Sequence, residues 1–232
     1  MNLKDFEAAT PRPLPVFILA DTSGSMQGEK IQALNVALRE MVNSLAMIED
    51  IRGLFQIAII TFGQKAQLHQ PLQNVNLISL TEMEAQGKTP MGAAFEMVAD
   101  IIEDKEQVPP RAYTPLIILV SDGQPTDYDG HSNASTAEYL EWDALKRLHA
   151  QNTRASKCQR LAMGIGGDAD YAMLEAFIND SNCRVIKAKE AAEIGKFFRW
   201  ITMSTVSRIQ SAHPNDPIRQ FESEWEDPEI PL

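Results

Sequence analysis

The sequence predicts an α/β protein built on one doubly wound, mostly parallel sheet of six strands, with helices on both faces. Two observations carry this prediction. Short apolar runs of strand length alternate along the chain with segments whose apolar residues recur at spacings of three and four. The apolar runs are continuous, which is typical of strands in a parallel sheet that is covered on both faces.

The first half of the chain contains four of these strands. The runs PVFILA (15–20) and LFQIAIITF (54–62) predict two buried strands. The next segment, AQLHQPLQ (66–73), alternates and contains a proline, which favours a short edge strand antiparallel to its predecessor. The fourth strand is PLIILVSDG (115–123). Two helices are predicted from apolar stripes at Ile31, Leu34, Leu38, Met41, Val42 and Leu45, and at Met91, Ala94, Phe95, Val98, Ile101 and Ile102.

The second half repeats the alternation. Ser135 and Glu138 have the spacing of a capping box, which predicts a helix that continues to about Asn152. The remaining predicted elements are a strand at 160–166, a short helix at 170–178, a strand at 183–188 and a long amphipathic helix at 190–210.

Composition narrows the class of protein. The chain has 232 residues and a net charge of −11, which argues against general binding to nucleic acid. No stretch is long and apolar enough to cross a bilayer, and the start MNLKDFEAAT lacks the apolar core of a signal peptide. Two cysteines, Cys158 and Cys183, are expected to remain thiols. We therefore expect a cytoplasmic protein.

The domain organisation predicted from the sequence is an N-terminal extension (1–13), one domain (14–211) and an acidic, extended C-terminal tail (212–232). The tail contains Glu222, Glu224 and Glu226. These carboxylates are either simply solvated or bound by a neighbouring molecule.

Two predicted strands end in the same way, FILAD at Asp21 and ILVSD at Asp122. In an open α/β sheet, ligands bind beyond the carboxyl ends of the strands, where the strand order reverses. If the two strands are neighbours there, their carboxylates converge, and Ser23 and Ser25 can turn both hydroxyls toward the same point. A cluster of oxygen atoms with few charges suits a hard cation such as Mg²⁺.

The stretch DTSGS (21–25) carries a DxSxS signature and resembles the von Willebrand factor A domain, found also in integrin I domains. The metal-ion-dependent adhesion site of that family also includes a threonine on a later loop and an aspartate after the fourth main strand. The matching residues here are Thr89 in GKTPMG and Asp122 in VSDGQPTD. The resemblance covers about residues 14–210 and implies a Rossmann-like sheet with strand order 3-2-1-4-5-6 and one antiparallel edge strand.

The same resemblance implies a function. Ser23, Ser25 and Thr89 are expected to offer hydroxyls to Mg²⁺ or Mn²⁺, while Asp21 and Asp122 act directly or through bound water. One position on the metal is then left for a Glu or Asp carboxylate of a partner protein. One hypothesis is that Glu222, Glu224 or Glu226 in the tail of a neighbouring molecule occupies this position. The chain is accordingly expected to be a protein-binding module, not an enzyme.

Three further segments resemble a narrower group, the bacterial TerY-like proteins. They are GKTPMGAAFE, SDGQPTD and FFRWITMSTVSRI. TerY-like proteins are small cytoplasmic von Willebrand A proteins of tellurite-resistance and stress operons, often encoded beside a protein kinase and a PP2C-type phosphatase. This resemblance implies a role in a stress response or in phospho-signalling.

A competing hypothesis is a haloacid-dehalogenase-like phosphatase, in which Asp21 is the nucleophile and Asp122 and Asp127 hold Mg²⁺. That family's pattern requires a second aspartate two residues after the nucleophile, where this chain has Ser23. The sequence leaves open whether Met26 and Met91 line a binding rim or pack in the core.

Overall fold

The structure, a computed structural model, describes residues 11–48 and 53–218. Its strands are β1 (Arg12–Asp21), β2 (Gly53–Phe62), β3 (Ala66–Asn74), β4 (Leu116–Ser121), β5 (Gln159–Ile165) and β6 (Ile186–Ala188). Its α-helices are α1 (Glu29–Ala46), α2 (Met91–Glu103), α3 (Thr136–Leu140), α4 (Asp143–His149), α5 (Tyr171–Ile178) and α6 (Ala192–Gln210).

The six strands form one sheet in the order β3-β2-β1-β4-β5-β6. All neighbouring pairs are parallel except β2 and β3, which are antiparallel. The predicted fold class, strand order and antiparallel edge strand are therefore confirmed. The strand order reverses beside β1, which pairs with β2 on one side and with β4 on the other.

The sheet has a hydrophobic core on each face, and β1 contributes to both. Val16 and Ile18 pack in the core that includes residues of α1 and α6, whereas Phe17 and Leu19 pack in the core that includes α2, α4 and α5. All four side chains are fully buried. Successive strand residues point to opposite faces, so a strand covered on both faces needs apolar residues at every position.

The prediction of one continuous helix from Ser135 to about Asn152 is wrong, because the structure forms two helices there. The capping box at Ser135 forms as predicted, but α3 ends at Leu140 and α4 begins at Asp143. Trp142 lies at the break, is only 8% exposed and packs edge-on against Phe95 with ring centroids 5.8 Å apart. Burying this large ring in the core overrides the local preference for one continuous helix. The strand predicted at 183–188 is also shorter, because β6 has three residues.

The last turn of α6 and the segment after it pack against the end of the sheet where β4 and β5 begin. Arg208, in the last turn of α6, donates a hydrogen bond to the carbonyl of Thr114 (2.8 Å), and Asn215 accepts one from the amide of Thr114 (3.0 Å). Ile218 and Gln159 exchange two hydrogen bonds of 2.7 and 2.8 Å. Residues up to 218 are thus held against the domain.

Some predictions fall on residues outside the described ranges. They concern residues 1–10 of the N-terminal extension and the glutamates Glu222, Glu224 and Glu226. Within the described ranges, no helix has the length and apolar character needed to span a membrane. Cys158 and Cys183 are free thiols, and burial raises the pKa of Cys158 to about 12.

The imidazole of His149 makes the fold sensitive to acid. Its Nε2–H donates to the carbonyl of Phe177 (3.1 Å), and burial, together with the charge of Arg160, lowers the pKa of His149 to about 4. Because this pKa lies below the unfolded value of 6.5, the neutral ring's contribution to stability is complete above pH 6.5 and is lost as the pH falls toward 4.

We therefore expect His149→Gln to lose less stability than the wild type when the pH falls from 7.5 to 5. The difference should be roughly 2 kcal/mol, since each tenfold change in proton affinity corresponds to about 1.4 kcal/mol. Urea unfolding in EDTA at the two pH values measures it. Equal losses in the two proteins would show that His149 is not the group responsible.

Candidate metal centre

The two aspartates predicted for the metal site lie next to each other at the reversal of strand order. Asp21 is the last residue of β1, and Asp122 directly follows β4, the parallel neighbour of β1. The two residues are buried, with exposed fractions of 0% and 1%. The sheet therefore brings two carboxylates into one place, as the sequence predicts.

Asp21 is held rigidly by its neighbours. Its Oδ1 accepts a hydrogen bond from the amide of Ser23 (2.8 Å), and its Oδ2 accepts one from the hydroxyl of Ser121 (2.5 Å). Burial raises the pKa of Asp21 to about 6, and the charge of Asp122 adds to the rise, although the two hydrogen bonds oppose it. The charged carboxylate is thus unfavourable without a cation nearby.

The two predicted serine ligands lie on the loop after β1. The 3-10 turn Gly24–Met26 places the hydroxyl of Ser25 3.0 Å from that of Ser23. Ser25 also donates a hydrogen bond to Oδ1 of Asp122 (2.6 Å). Ser23 is buried and Ser25 is exposed, so the oxygen cluster extends from Asp21 to the surface.

Thr89 joins the cluster from the loop before α2. Its amide donates to the hydroxyl of Thr126 (3.0 Å), and its carbonyl accepts from the amide of Thr126 (2.9 Å). A Cβ atom placed on Gly123 would lie 3.7 Å from the Thr89 hydroxyl and 3.9 Å from the Ser25 hydroxyl. All five residues predicted as metal ligands are therefore brought together, with two hydroxyls facing the space beside Gly123.

Backbone contacts fix the loops that carry these ligands. The amide of Gly24 donates to the carbonyl of Gly87 (3.1 Å), and the amide of Gln86 donates to the carbonyl of Thr22 (2.7 Å). Gly63 lies at this junction, where a Cβ would approach the carbonyls of Thr22 and Gln86 to 2.5 and 2.7 Å. A residue with a side chain at this position would push the two loops apart.

Three residues at the site were not predicted from the sequence. Lys30, in the first turns of α1, places its Nζ atom 2.5 Å from Oδ2 of Asp122. Ser121 binds Asp21, and Thr126 orients the backbone of Thr89. No pattern in the sequence identifies these contacts, because Lys30 is 92 residues from Asp122 and Thr126 is 37 residues from Thr89.

Other residues considered from the sequence have structural roles. Both carboxylate oxygens of Asp127 accept hydrogen bonds, from the amides of Gly92 (3.2 Å) and Ala93 (3.0 Å), so this residue caps the start of α2. The phosphatase hypothesis instead requires Asp127 to hold a metal ion together with Asp122, whereas both of its carboxylate oxygens are engaged by the amides of α2. Met26 and Met91 are fully buried in the core and do not form a binding rim.

The residues at the site fit a hard divalent cation. The donor set is all oxygen, with two carboxylates and three hydroxyls, which is the chemistry that Mg²⁺ and related ions prefer. The ammonium of Lys30 already lies on Asp122, which shows that a positive charge is accommodated there. Within residues 11–48 and 53–218, no group of three or more His, Cys, Asp or Glu side chains is placed to hold a metal.

An open groove of about 680 Å³ lies beside the oxygen cluster. Ser25 and Asp122 are part of its lining, and so is the loop before α5, with the exposed Asp168. The cluster is thus reached from the solvent through a groove large enough for several side chains of another protein.

Comparison with known proteins adds sequence relatives. Residues 16–200 match the family model of the von Willebrand factor type A domain. Inter-alpha-trypsin inhibitor heavy chain H4 of Bos taurus is 26% identical over 220 residues, which cover 89% of this chain and 22% of that protein. The Homo sapiens heavy chain H4 is 24% identical over 92% of this chain and 23% of its own length. The chain thus spans less than a quarter of these relatives.

Solved structures with the same fold come from diverse sources. A von Willebrand factor type A protein from Catenulispora acidiphila has a TM-score of 0.59 at 19% identity and covers 84% of this chain and 42% of its own. Proximal thread matrix protein 1 of the mussel byssus, in a structure with a zinc-occupied MIDAS motif, has a TM-score of 0.57 at 17% identity. The match covers 83% of this chain and 48% of that chain.

Proposed function

The chain belongs to the von Willebrand factor type A domain family, and on that premise we propose that it is a metal-dependent protein-binding module. One observation carries the proposal: three loops bring two buried carboxylates and three hydroxyls to the reversal point of the sheet. Carboxylate and hydroxyl oxygens together form the kind of ligand set that a hard divalent cation takes.

Each residue has a distinct part in this proposal. Ser23, Ser25 and Thr89 would hold the cation through their hydroxyls, and Asp21 and Asp122 would hold it directly or through water. Asp21 is locked by Ser121 and the amide of Ser23, so its carboxylate is oriented before any ligand arrives. When bound, the cation supplies an electrophilic centre for an oxygen atom of a partner protein.

We propose a Glu or Asp carboxylate as that partner group. A carboxylate is the side chain that a divalent cation attracts most strongly from a second protein. The groove beside Ser25 and Asp122 would take the residues on either side of it. The exposed Asp168 in this groove favours a partner segment that carries a basic residue next to its carboxylate.

The finer proposals rest on motif resemblance. We propose Mg²⁺ or Mn²⁺ as the ion, a cytoplasmic setting, and a stress-response or phospho-signalling system with a kinase and a PP2C-type phosphatase as partners. The segments GKTPMGAAFE and SDGQPTD support this TerY-like assignment, whereas the heavy-chain relatives named above are proteins of another kind.

Calorimetric titration with Mg²⁺ and with Mn²⁺ tests the metal site. Thr89→Val removes one proposed ligand oxygen but keeps the backbone contacts with Thr126, so we expect the affinity to fall at least about tenfold, the lower bound for residues that merely support metal ligands. Ser207→Ala, a change on α6 away from the oxygen cluster, is the matched control and should bind as the wild type does. A wild type that binds neither ion contradicts the proposal.

The partner is tested by affinity capture with Mg²⁺ and with EDTA. A protein retained by the wild type in Mg²⁺, but lost both in EDTA and with Thr89→Val, supports metal-dependent binding. Identification of that protein as a kinase or phosphatase supports the finer proposal. Turnover of a small phosphate ester that is abolished by Asp21→Asn would instead establish the phosphatase alternative.

A further inference from the structure

Lys30 forms an ion pair inside the candidate metal centre. Its Nζ atom lies 2.5 Å from Oδ2 of Asp122, whose side chain is completely buried, while the side chain of Lys30 is 33% exposed. The other oxygen of Asp122 accepts a hydrogen bond from the hydroxyl of Ser25, which in turn contacts Ser23. The ammonium therefore lies on the same network of oxygen atoms that is proposed to hold the cation.

Two cations do not share one carboxylate group at short range without strong repulsion, which water screens little at a buried oxygen. The lysine side chain is a flexible four-carbon chain with a compact charge at its end. Because a third of the Lys30 side chain is exposed, its ammonium has a short route to solvent. A small movement of this side chain would leave Asp122 available to another cation.

We propose that Lys30 is a built-in competitor of the metal, an inference that rests on the function proposed above. In the metal-free protein its ammonium neutralises the buried Asp122 and keeps that carboxylate in place. Binding of a divalent cation exchanges one positive charge for another at Asp122, with release of Lys30 to the solvent. The apparent metal affinity is therefore lower than the oxygen cluster alone would give.

Lys30→Met tests the exchange because it removes the charge and keeps much of the apolar stem. In EDTA, we expect this variant to unfold at a lower temperature than the wild type, since a buried carboxylate loses its partner. In Mg²⁺ titrations we expect its affinity to be at least about tenfold higher, since no cation has to be displaced. Lys30→Gln, which removes the charge but keeps a polar amide able to donate a hydrogen bond, covers the case in which Lys30→Met does not fold.

Lys88→Met is the matched control. Lys88 is exposed and adjacent to Thr89, so its removal changes the charge near the site by the same amount without removing the ion pair of Asp122. A gain of affinity in both Lys30 variants, but not in Lys88→Met, supports competition. Equal Mg²⁺ affinity in the wild type and the Lys30 variants overturns the inference and leaves the proposed function standing. Absence of binding in all of these proteins overturns both.

Discussion

Asp21→Asn should make the metal-free protein more stable while removing its response to metal. In the folded protein the pKa of Asp21 is raised from 3.8 to about 6, chiefly by burial. At pH 7.5 in EDTA the charged carboxylate therefore costs about 3 kcal/mol relative to its neutral form. Asparagine is neutral and has nearly the same shape. Its amide can accept from the amide of Ser23 and donate to the hydroxyl of Ser121.

The sign of the pH dependence separates this account from a general effect of substitution. The pKa of Asp21 is higher in the folded than in the unfolded protein. The stability cost of its charge is therefore present above pH 6 and declines as the pH falls toward 3.8. The advantage of Asp21→Asn should fall by roughly half between pH 7.5 and pH 5. Thermal and urea unfolding in EDTA at both pH values measure it.

The effect of Mg²⁺ on the unfolding temperature completes the test of Asp21→Asn. Addition of Mg²⁺ should raise the unfolding temperature of the wild type and leave that of Asp21→Asn unchanged. Asp168→Asn, a change of the same kind at an exposed position of the groove, should alter neither property. An Asp21→Asn protein less stable than the wild type in EDTA would show that the buried charge is not a net cost.

Gly63→Ala should damage the metal site although Gly63 carries no ligand atom. The added Cβ would meet the carbonyls of Thr22 and Gln86 at 2.5 and 2.7 Å, so the backbones of both ligand loops have to move. We expect a loss of about 1–3 kcal/mol in stability, typical of overpacking. We also expect a roughly 10- to 100-fold loss of Mg²⁺ affinity, as for residues that support metal ligands.

Gly167→Ala is the control for this experiment. Gly167 lines the same groove, and a Cβ there has no atom within 4 Å, so the substitution should be silent in both measurements. Calorimetry and urea unfolding of the three proteins give the comparison. Full Mg²⁺ affinity in a destabilised Gly63→Ala protein would mean that the loops tolerate displacement and that their spacing does not limit binding.

Much of the fold could be predicted because its signals are local or periodic. The continuous apolar run of β1 indicates burial on both faces, and Pro71 marks β3 as an edge strand. Asp21, Ser23, Ser25 and Asp122 could be predicted because they follow two strands that reach the same end of the sheet, whereas Thr89 was identified only through the family resemblance. The break before α4 could not be predicted, because it depends on packing Trp142 against Phe95, far away in the sequence.

The contacts that surround the site could not be predicted from the sequence either. Asp127 looks like part of a solvated loop until the structure places it on the amides that begin α2. Lys30 looks like an ordinary helix-surface lysine, and its pairing with Asp122 spans 92 residues. Such contacts depend on the relative placement of loops, which composition and periodicity do not determine.

The bonds of Ile218 and Gln159 also have a mechanical consequence. The segment after α6 is held at the end of the sheet where the parallel strands begin, and β1 starts at Arg12 at that same end. The oxygen cluster lies at the opposite end of the strands. A pull between a partner on the cluster and either end of the described chain would run along the strands. The ladders flanking β1 would then be loaded in shear, where many hydrogen bonds must break together before the sheet yields.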